Sequence, residues 1–270
     1  MEQRRMDYHL HSVHSFDGIQ TIDALCRQMR TLGVQELCLT EHIEPGHPDP
    51  DCDVPPVWDL WQREIHQAQV AYPELTIRMG VEIGDNPLCR AETMRLLREL
   101  ELDYQLLSLH LVNQVDCYDA AAYYTGKTRA QAYREYAEAK AESVLAWEDF
   151  DCVAHIGYVA RYSPWTGDEK PLVWQDAPDA FDAIFRRIID LDKALEINTS
   201  GKSSTGFYLP HPSLIRRYIE LGGEVFTFGS DAHDTDRDYE NIEDAKDLVR
   251  SLGGKYQASY CRRVRTLYRI

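Results

Sequence analysis

Seven short, β-rich apolar runs, "MDYHLH", "QELCLTEH", "LTIRMGVEIG", "YQLLSLH", "FDCVAHIG", "ALEINTSG" and "EVFTFGSDAH", recur along this chain, and amphipathic helical patterns fill the intervals between them. Strands that alternate with helices argue for βα units and a parallel sheet, because a parallel partner needs a long crossover that a helix supplies. The helical patterns carry their own start and stop signals. Thr21 is placed to cap a helix that runs to Leu32 and stops at Gly33, residues 90–101 carry Met94, Leu97 and Leu100 on one face, and Thr128 opens a helix reaching Trp147. A helix over 177–191, one begun by Pro212, and one over 242–252 closed by Gly253 and Gly254 complete the series.

The runs end, in order, on His9/His11, His42, Glu82, His110, His155, Asn198 and Asp231/His233, so six of the seven stop at a residue able to bind a divalent metal. Parallel strands put those ends on one side of a sheet, and in a parallel barrel they converge on a shared site. His9 and His11 are two apart on a strand and share a face, and Asp231 and His233 repeat that spacing. Glu82 follows "MGV" in an apolar strand, where a carboxylate is costly to bury unless it is paired or metal-bound, so it reads as a bridging ligand. His42, His110 and His155 each follow an apolar stretch. His47 and His211 sit in proline-rich turns and His66 lies in a helix, and these three read as non-ligands. His14 comes after the chain must turn past Ser12, where the two-residue alternation no longer places it with His9 and His11.

Imidazole and carboxylate donors together suit Zn, Mn or Fe without choosing among them. His9, His11, Asp17, His42, Glu82, His110, His155, Asp231 and His233 are too many for one ion and enough for two or three divalent ions sharing Glu82. Clustered ions suggest hydrolysis, with a bridging hydroxide as nucleophile.

Composition narrows the setting. With 270 residues, 44% hydrophobic and 27% charged, the chain is within the globular range and long enough for one barrel-sized domain or two small ones. A formal charge of −16 repels polyanions and argues against a nucleic-acid partner, although a small phosphorylated substrate can still reach a locally positive site. No apolar run approaches the roughly 20 residues that span a bilayer, and "MEQRRMDYHLH" lacks the apolar core of a signal peptide, so a soluble cytoplasmic protein without a membrane partner is expected. The seven cysteines are odd in number with no Cys-x-x-Cys pair, and they read as reduced thiols. Oligomeric state is left open.

The ordered motifs "DYHLHS…FDG", "LTEH", "GVEIG", "SLH", "AHIGY" and "GSDAH" resemble those of the PHP (polymerase and histidinol phosphatase) metal-dependent phosphoesterases, from about residue 7 to 233. The resemblance implies a distorted (β/α)7 TIM-like barrel over a single domain, residues 1–270, with a trinuclear site at the C-terminal ends of the strands. "YYTGKTRAQAYREY", "HIGYVARY" and "EINTSG" point to the histidinol-phosphate phosphatase branch. By position, the family pattern gives His9, His11, Glu82 and Asp231 to a first ion. Glu82, His110 and His155 go to a second, and Asp17, His42 and His233 to a third. His14 falls where the family usually carries an aromatic residue. Arg161 matches a phosphate-binding arginine, whose planar fork suits a pair of phosphoryl oxygens. Asn198 joins it as an expected substrate-binding residue. Where that branch has a further arginine after this strand, the sequence reads "KSSTGFYLP", and Lys202 is the expected substitute point charge.

The implied activity is hydrolysis of a small phosphomonoester, L-histidinol phosphate first, in histidine biosynthesis, with Arg161 steadying the phosphoryl oxygens and Asp231 or His233 supplying the leaving group's proton. The alternatives are the same site acting on another small phosphorylated metabolite or a phosphodiester, and a non-catalytic metal-binding module. The loop "EPGHPDPDCDVPPVW" after His42 is either a cover that contacts a cationic group or a solvated connection.

Overall fold

In the computed structural model, which describes residues 4–270, all seven runs contribute strands to one sheet. They are β1 (Met6–Leu10), β2 (Glu36–Ile43), β3 (Thr76–Gly84), β4 (Tyr104–Ser108), β7 (Cys152–Val153), β8 (Ala194–Asn198) and β9 (Val225–Gly229). The numbering leaves room for a small hairpin, β5 (Leu111–Val112) and β6 (Val115–Asp116), that forms a separate antiparallel pair. Sheet order follows chain order from β1 through β4, β7, β8 and β9, with every one of these neighbours parallel. The sheet then continues into β10 (Tyr256–Cys261), parallel to β9, and ends on β11 (Val264–Arg269), antiparallel to β10. The result is an α/β fold around a mostly parallel, nine-stranded sheet. This C-terminal pair lies outside the expected βα repeat.

The sheet pairings form an open order rather than a closed ladder. β1 nevertheless meets the end of β9 through an isolated parallel bridge between Leu10 and Ala232, with backbone bonds from Asp231 N to His9 O (2.8 Å) and His11 N to Ala232 O (3.0 Å).

Local sequence explains the helices. Thr21 caps Ile22–Thr31 by accepting from Ala24 N, and Thr128 forms a capping box with Gln131 at the start of Arg129–Ala146. Ile22, Leu25, Cys26 and Met29 are buried at helical spacing, and equivalent faces of the other helices cover the sheet. Among the described residues no helix is long and apolar enough to cross a membrane.

On the other side of the sheet, Tyr8, Tyr104 and Tyr260 pack with Cys38 and Cys152. Continuing along the same faces by twos, Cys38 leads through Thr40 to His42, Gly80 to Glu82, and Ala194 through Glu196 to Asn198. Tyrosines and cysteines thus occupy one end of this face, where the buried Glu36 is paired with Arg4 and Arg78, and the histidine–carboxylate group occupies the other. β1 carries a register shift between Asp7 and Leu10, an extra residue that lets consecutive side chains, Tyr8 and His9, both turn to this side.

Candidate metal centre

Glu82 lies at the middle of the ionisable end and is almost fully buried. Its Oε1 is 2.6 Å from His155 Nε2 and 3.2 Å from His110 Nε2. Its Oε2 is 3.1 Å from His9 Nε2, 3.2 Å from His42 Nδ1 and 3.5 Å from His11 Nε2. One carboxylate therefore turns an oxygen to each of two groups of imidazoles. Asp231 Oδ1 lies 3.5 Å from both His9 Nε2 and His11 Nε2. Asp17 faces a third group, with Oδ2 3.1 Å from His233 Nε2 and Oδ1 3.7 Å from His42 Nε2. All nine residues singled out as candidate ligands meet in this one region.

Buried charge sets the protonation of the cluster. Burial alone would push Glu82 up, but His9, His42 and His110 outweigh it and hold the carboxyl well below the usual range. Burial likewise opposes charge on His9, yet Glu196, Asp231 and Glu82 together raise it well above an ordinary imidazole. His42 is lifted to about 9 against its burial, chiefly by Glu82. His11 goes the other way, to about 3, because burial is reinforced by His233 and His42, and burial takes His155 to about 4.

Two imidazole nitrogens of this cluster, His11 Nε2 and His42 Nδ1, are buried with carboxylate oxygens nearby but make no well-aligned hydrogen bond. An orphaned imidazole nitrogen among carboxylate oxygens is costly for a protein alone and suits a cation. Three sets, His9/His11/Asp231, His42/Glu82/His110 and His11/His42/His233, each bring their donor atoms within 4.8 Å of one another. These N and O donors fit Zn, Mn or Fe.

Two glycines make room for this crowding. A Cβ on Gly229 would lie 2.3 Å from His9 Cβ, and one on Gly84 would lie 1.8 Å from Glu44 Oε2. The backbone is also held in the left-handed region at His155 (φ 25°) and Asp231 (φ 54°). Such conformations cost roughly 1–3 kcal/mol each and gather where a side chain must be aimed.

Around the nine lie residues that the sequence reading passed over. Glu44 is buried, pairs with His110 Nδ1 at 2.7 Å and brings the same oxygen to 3.3 Å from His42 Nδ1. Glu196 on β8 lies 2.5 Å from His9 Nδ1, and its Oε2 accepts from His155 N. A carboxylate on the ring nitrogen remote from a ligand position fixes the imidazole's orientation and makes it a stronger donor. Asp7 accepts from Ser230 N (3.0 Å) and Tyr239 N (3.2 Å), tying β1 to the segment that carries Asp231.

The other expected residues separate clearly. Arg161 lines the cavity beside the cluster, and its guanidinium bonds to Asp231 Oδ2 (3.0 Å) and to Ser200 Oγ. Asn198 lies behind Asp231, donating to its Oδ2 at 3.1 Å and accepting from Ser200, and it does not line the cavity. Lys202 is exposed, sits over the Tyr208 ring and also lies off the cavity wall. Of the two residues expected to bind substrate, Asn198 thus has its amide engaged by Asp231, and Lys202 turns outward over Tyr208. His14 bonds to Glu64 at 2.9 Å, away from the cluster. His47, in contrast, reaches the cavity wall although it stands in a proline-rich turn. Its loop also contributes Pro48, Asp49 and Cys52, so the segment after His42 borders the site.

These contacts give a direct expectation. Asp17→Ala lowers the number of tightly bound metal ions per chain, and His14→Ala leaves it unchanged. Elemental analysis of the two variants checks this; loss of an ion in the His14 variant with retention in the Asp17 variant would reverse the assignment.

Residues 7–200 match the PHP domain. The chain belongs to the PHP-domain family. Within it, this PHP-domain protein is 28% identical over 256 residues to the histidinol-phosphatase of Lactococcus lactis, an alignment covering 93% of this chain and 92% of that protein. The crystal structure of the L. lactis histidinol phosphate phosphatase, complexed with zinc, L-histidinol and phosphate, matches with a TM-score of 0.88 and 27% identity. That match spans 97% of this chain and 99% of the other. A second structure, from Listeria monocytogenes, shares the fold at a TM-score of 0.73 and 18% identity, over 86% of this chain and 97% of that one.

Proposed function

We propose that this PHP-domain protein is a cytoplasmic, metal-dependent phosphomonoesterase that converts L-histidinol phosphate to L-histidinol and phosphate. The observation that carries the reading is Glu82, whose two oxygens face separate groups of histidines on the floor of a cavity of about 650 Å³. That volume suits a small metabolite. The near full-length similarity to a histidinol-phosphatase supports the substrate.

His9, His11, Glu82 and Asp231 would hold one divalent ion, Glu82, His110 and His155 a second, and Asp17, His42 and His233 a third. Bound divalent ions supply Lewis acidity toward phosphoryl oxygens and make water a competent nucleophile near neutral pH. Glu44 and Glu196 keep the imidazoles oriented. Arg161 places N–H donors at the cavity wall, where they would steady the phosphoryl oxygens, and Asp231 or His233 would take the proton released by the attacking water and pass it to the leaving alkoxide. The seven parallel strands would curve into a distorted barrel within a single domain, a reading supported by the isolated Leu10–Ala232 bridge, although the ladder itself stays open.

A panel of phosphomonoesters assayed with metal-loaded protein tests the activity, with L-histidinol phosphate expected to give the highest kcat/KM. Brisk turnover of another compound with failure on this one would transfer the site to a different phosphorylated metabolite. The outward placement of Lys202, where a substrate-facing cation was expected, is the observation that favours that second reading.

A further inference from the structure

The cavity is electrically lopsided. At one end the Arg161 guanidinium bonds to Asp231, beside the histidines. The same lining carries Asp49, Asp116 and Asp119, with Asp116 at the hydroxyl end of Tyr158, and among the described residues lining the cavity there is no lysine and no arginine other than Arg161. A phosphate monoester bound beside Arg161 and the histidines would share the cavity with these carboxylates, which could then meet the rest of its molecule.

Resting on the phosphatase reading above, we infer that Asp116 is the specificity-determining carboxylate that receives a cationic nitrogen of the substrate. Asp116 ends the β6 strand and is fixed before any ligand arrives. Its Oδ1 accepts from Tyr118 N (2.7 Å) and Tyr158 Oη (3.3 Å), and its Oδ2 lies 3.2 Å from His47 Nε2. The side chain is only 21% exposed, so a charge-assisted bond to it is less screened than at the open surface. A carboxylate already held in place loses little freedom on binding.

Tyr158 sets the spacing. Its ring stacks on His155 (centroids 5.5 Å apart) and packs against His110 (4.8 Å), while its hydroxyl reaches Asp116. Asp116 therefore stands one tyrosine away from the histidine cluster. That distance suits an amino-alcohol phosphate, whose positive nitrogen lies a few bonds from phosphorus, and leaves a neutral or acidic phosphoester without a partner at this end. Tyr118 and Tyr162, edge to face at 5.1 Å, offer aromatic surface beside the same carboxylate, which also favours a cation. His47 engages Asp116 only through Oδ2, and a carboxylate oxygen can accept more than one bond, so a cationic nitrogen can still be received.

Asp116→Asn tests the assignment, because the amide oxygen still accepts from Tyr118 and Tyr158 while the charge is lost. Two quantities are read on the metal-loaded protein: kcat/KM for L-histidinol phosphate against 4-nitrophenyl phosphate, which carries no cation, and the calorimetric Kd for L-histidinol. The loss on L-histidinol phosphate should exceed the loss on 4-nitrophenyl phosphate by about 10- to 100-fold, the worth of a hydrogen bond to a charged group, with L-histidinol binding weakened by a similar factor. Equal losses on the two substrates, or unchanged L-histidinol affinity, would overturn the role of Asp116. Wild-type protein that hydrolyses 4-nitrophenyl phosphate but not L-histidinol phosphate would instead overturn the activity reading, and the L-histidinol binding measurement would still decide the carboxylate's role.

Discussion

Glu82→Gln lowers kcat for phosphomonoester hydrolysis by at least about 10³-fold and releases at least one ion per chain. The substitution keeps the shape of the side chain and removes its charge. The amide oxygen can replace only one of the two carboxylate oxygens, so either the His110/His155 group or the His9/His11 group loses its shared ligand. Loss of a group that merely orients a ligand typically costs 10- to 100-fold in metal affinity or activity, and a bridging ligand should cost more. The fold should survive, because Glu44, Glu196 and Asp231 remain to pair with the histidines. Metal analysis, activity and circular dichroism on one preparation check the three parts together. Full metal content with wild-type kcat would remove Glu82 from its bridging role.

Stripping the metal abolishes activity and lowers Tm, and the gap in Tm between loaded and stripped protein widens from about pH 6.5 to about pH 9. A ligand present at a thousand times its Kd stabilises the folded state by about 4 kcal/mol. For a domain of this size that corresponds to roughly 10 °C. The pH dependence follows from the histidines. Without metal, His42 titrates at about 9 in the folded protein, against an ordinary 6.5 when unfolded. Its protonated form therefore stabilises the stripped protein fully below about 6.5, and that contribution is lost as the pH rises through about 9. His9 and His110 are raised in the same sense, by Glu196 and Glu44 respectively acting against burial. Metal ligation requires the neutral imidazole, so binding releases these protons and tightens as the pH rises. Calorimetry in the presence and absence of chelator reads the gap directly. A gap that narrows over this range would contradict the assignment of these histidines as ligands.

The candidate site was legible because its signal is periodic. Strands of a parallel sheet end on one side, so residues scattered from His9 to His233 fall into register once the strand ends are recognised. Thr21 and Thr128 act as caps because their side chains bond locally, which sequence records well. Contacts made between distant strands were harder to read. Glu196 stands in an apolar strand as Glu82 does, and the cost of burying a carboxylate applies equally to both. The outcome differs because five imidazoles surround Glu82, whereas Glu196 meets the ring of His9 and the backbone N–H of His155. Asn198 ends its strand in register with the ligands, yet its amide is taken up by Asp231 from the next strand. The β5 and β6 strands are two residues each, too short to leave an alternation. The β10–β11 pair breaks the βα repeat that organised the reading, since an antiparallel neighbour needs no helical crossover.

The central claim is chemical, and one measurement meets it directly: phosphate release from L-histidinol phosphate by fully metal-loaded protein. The account predicts saturable turnover with kcat/KM of at least about 10⁴ M⁻¹s⁻¹, lost with chelator and restored by added divalent metal. Loaded protein that leaves L-histidinol phosphate intact, or stripped protein that hydrolyses it equally well, would contradict it.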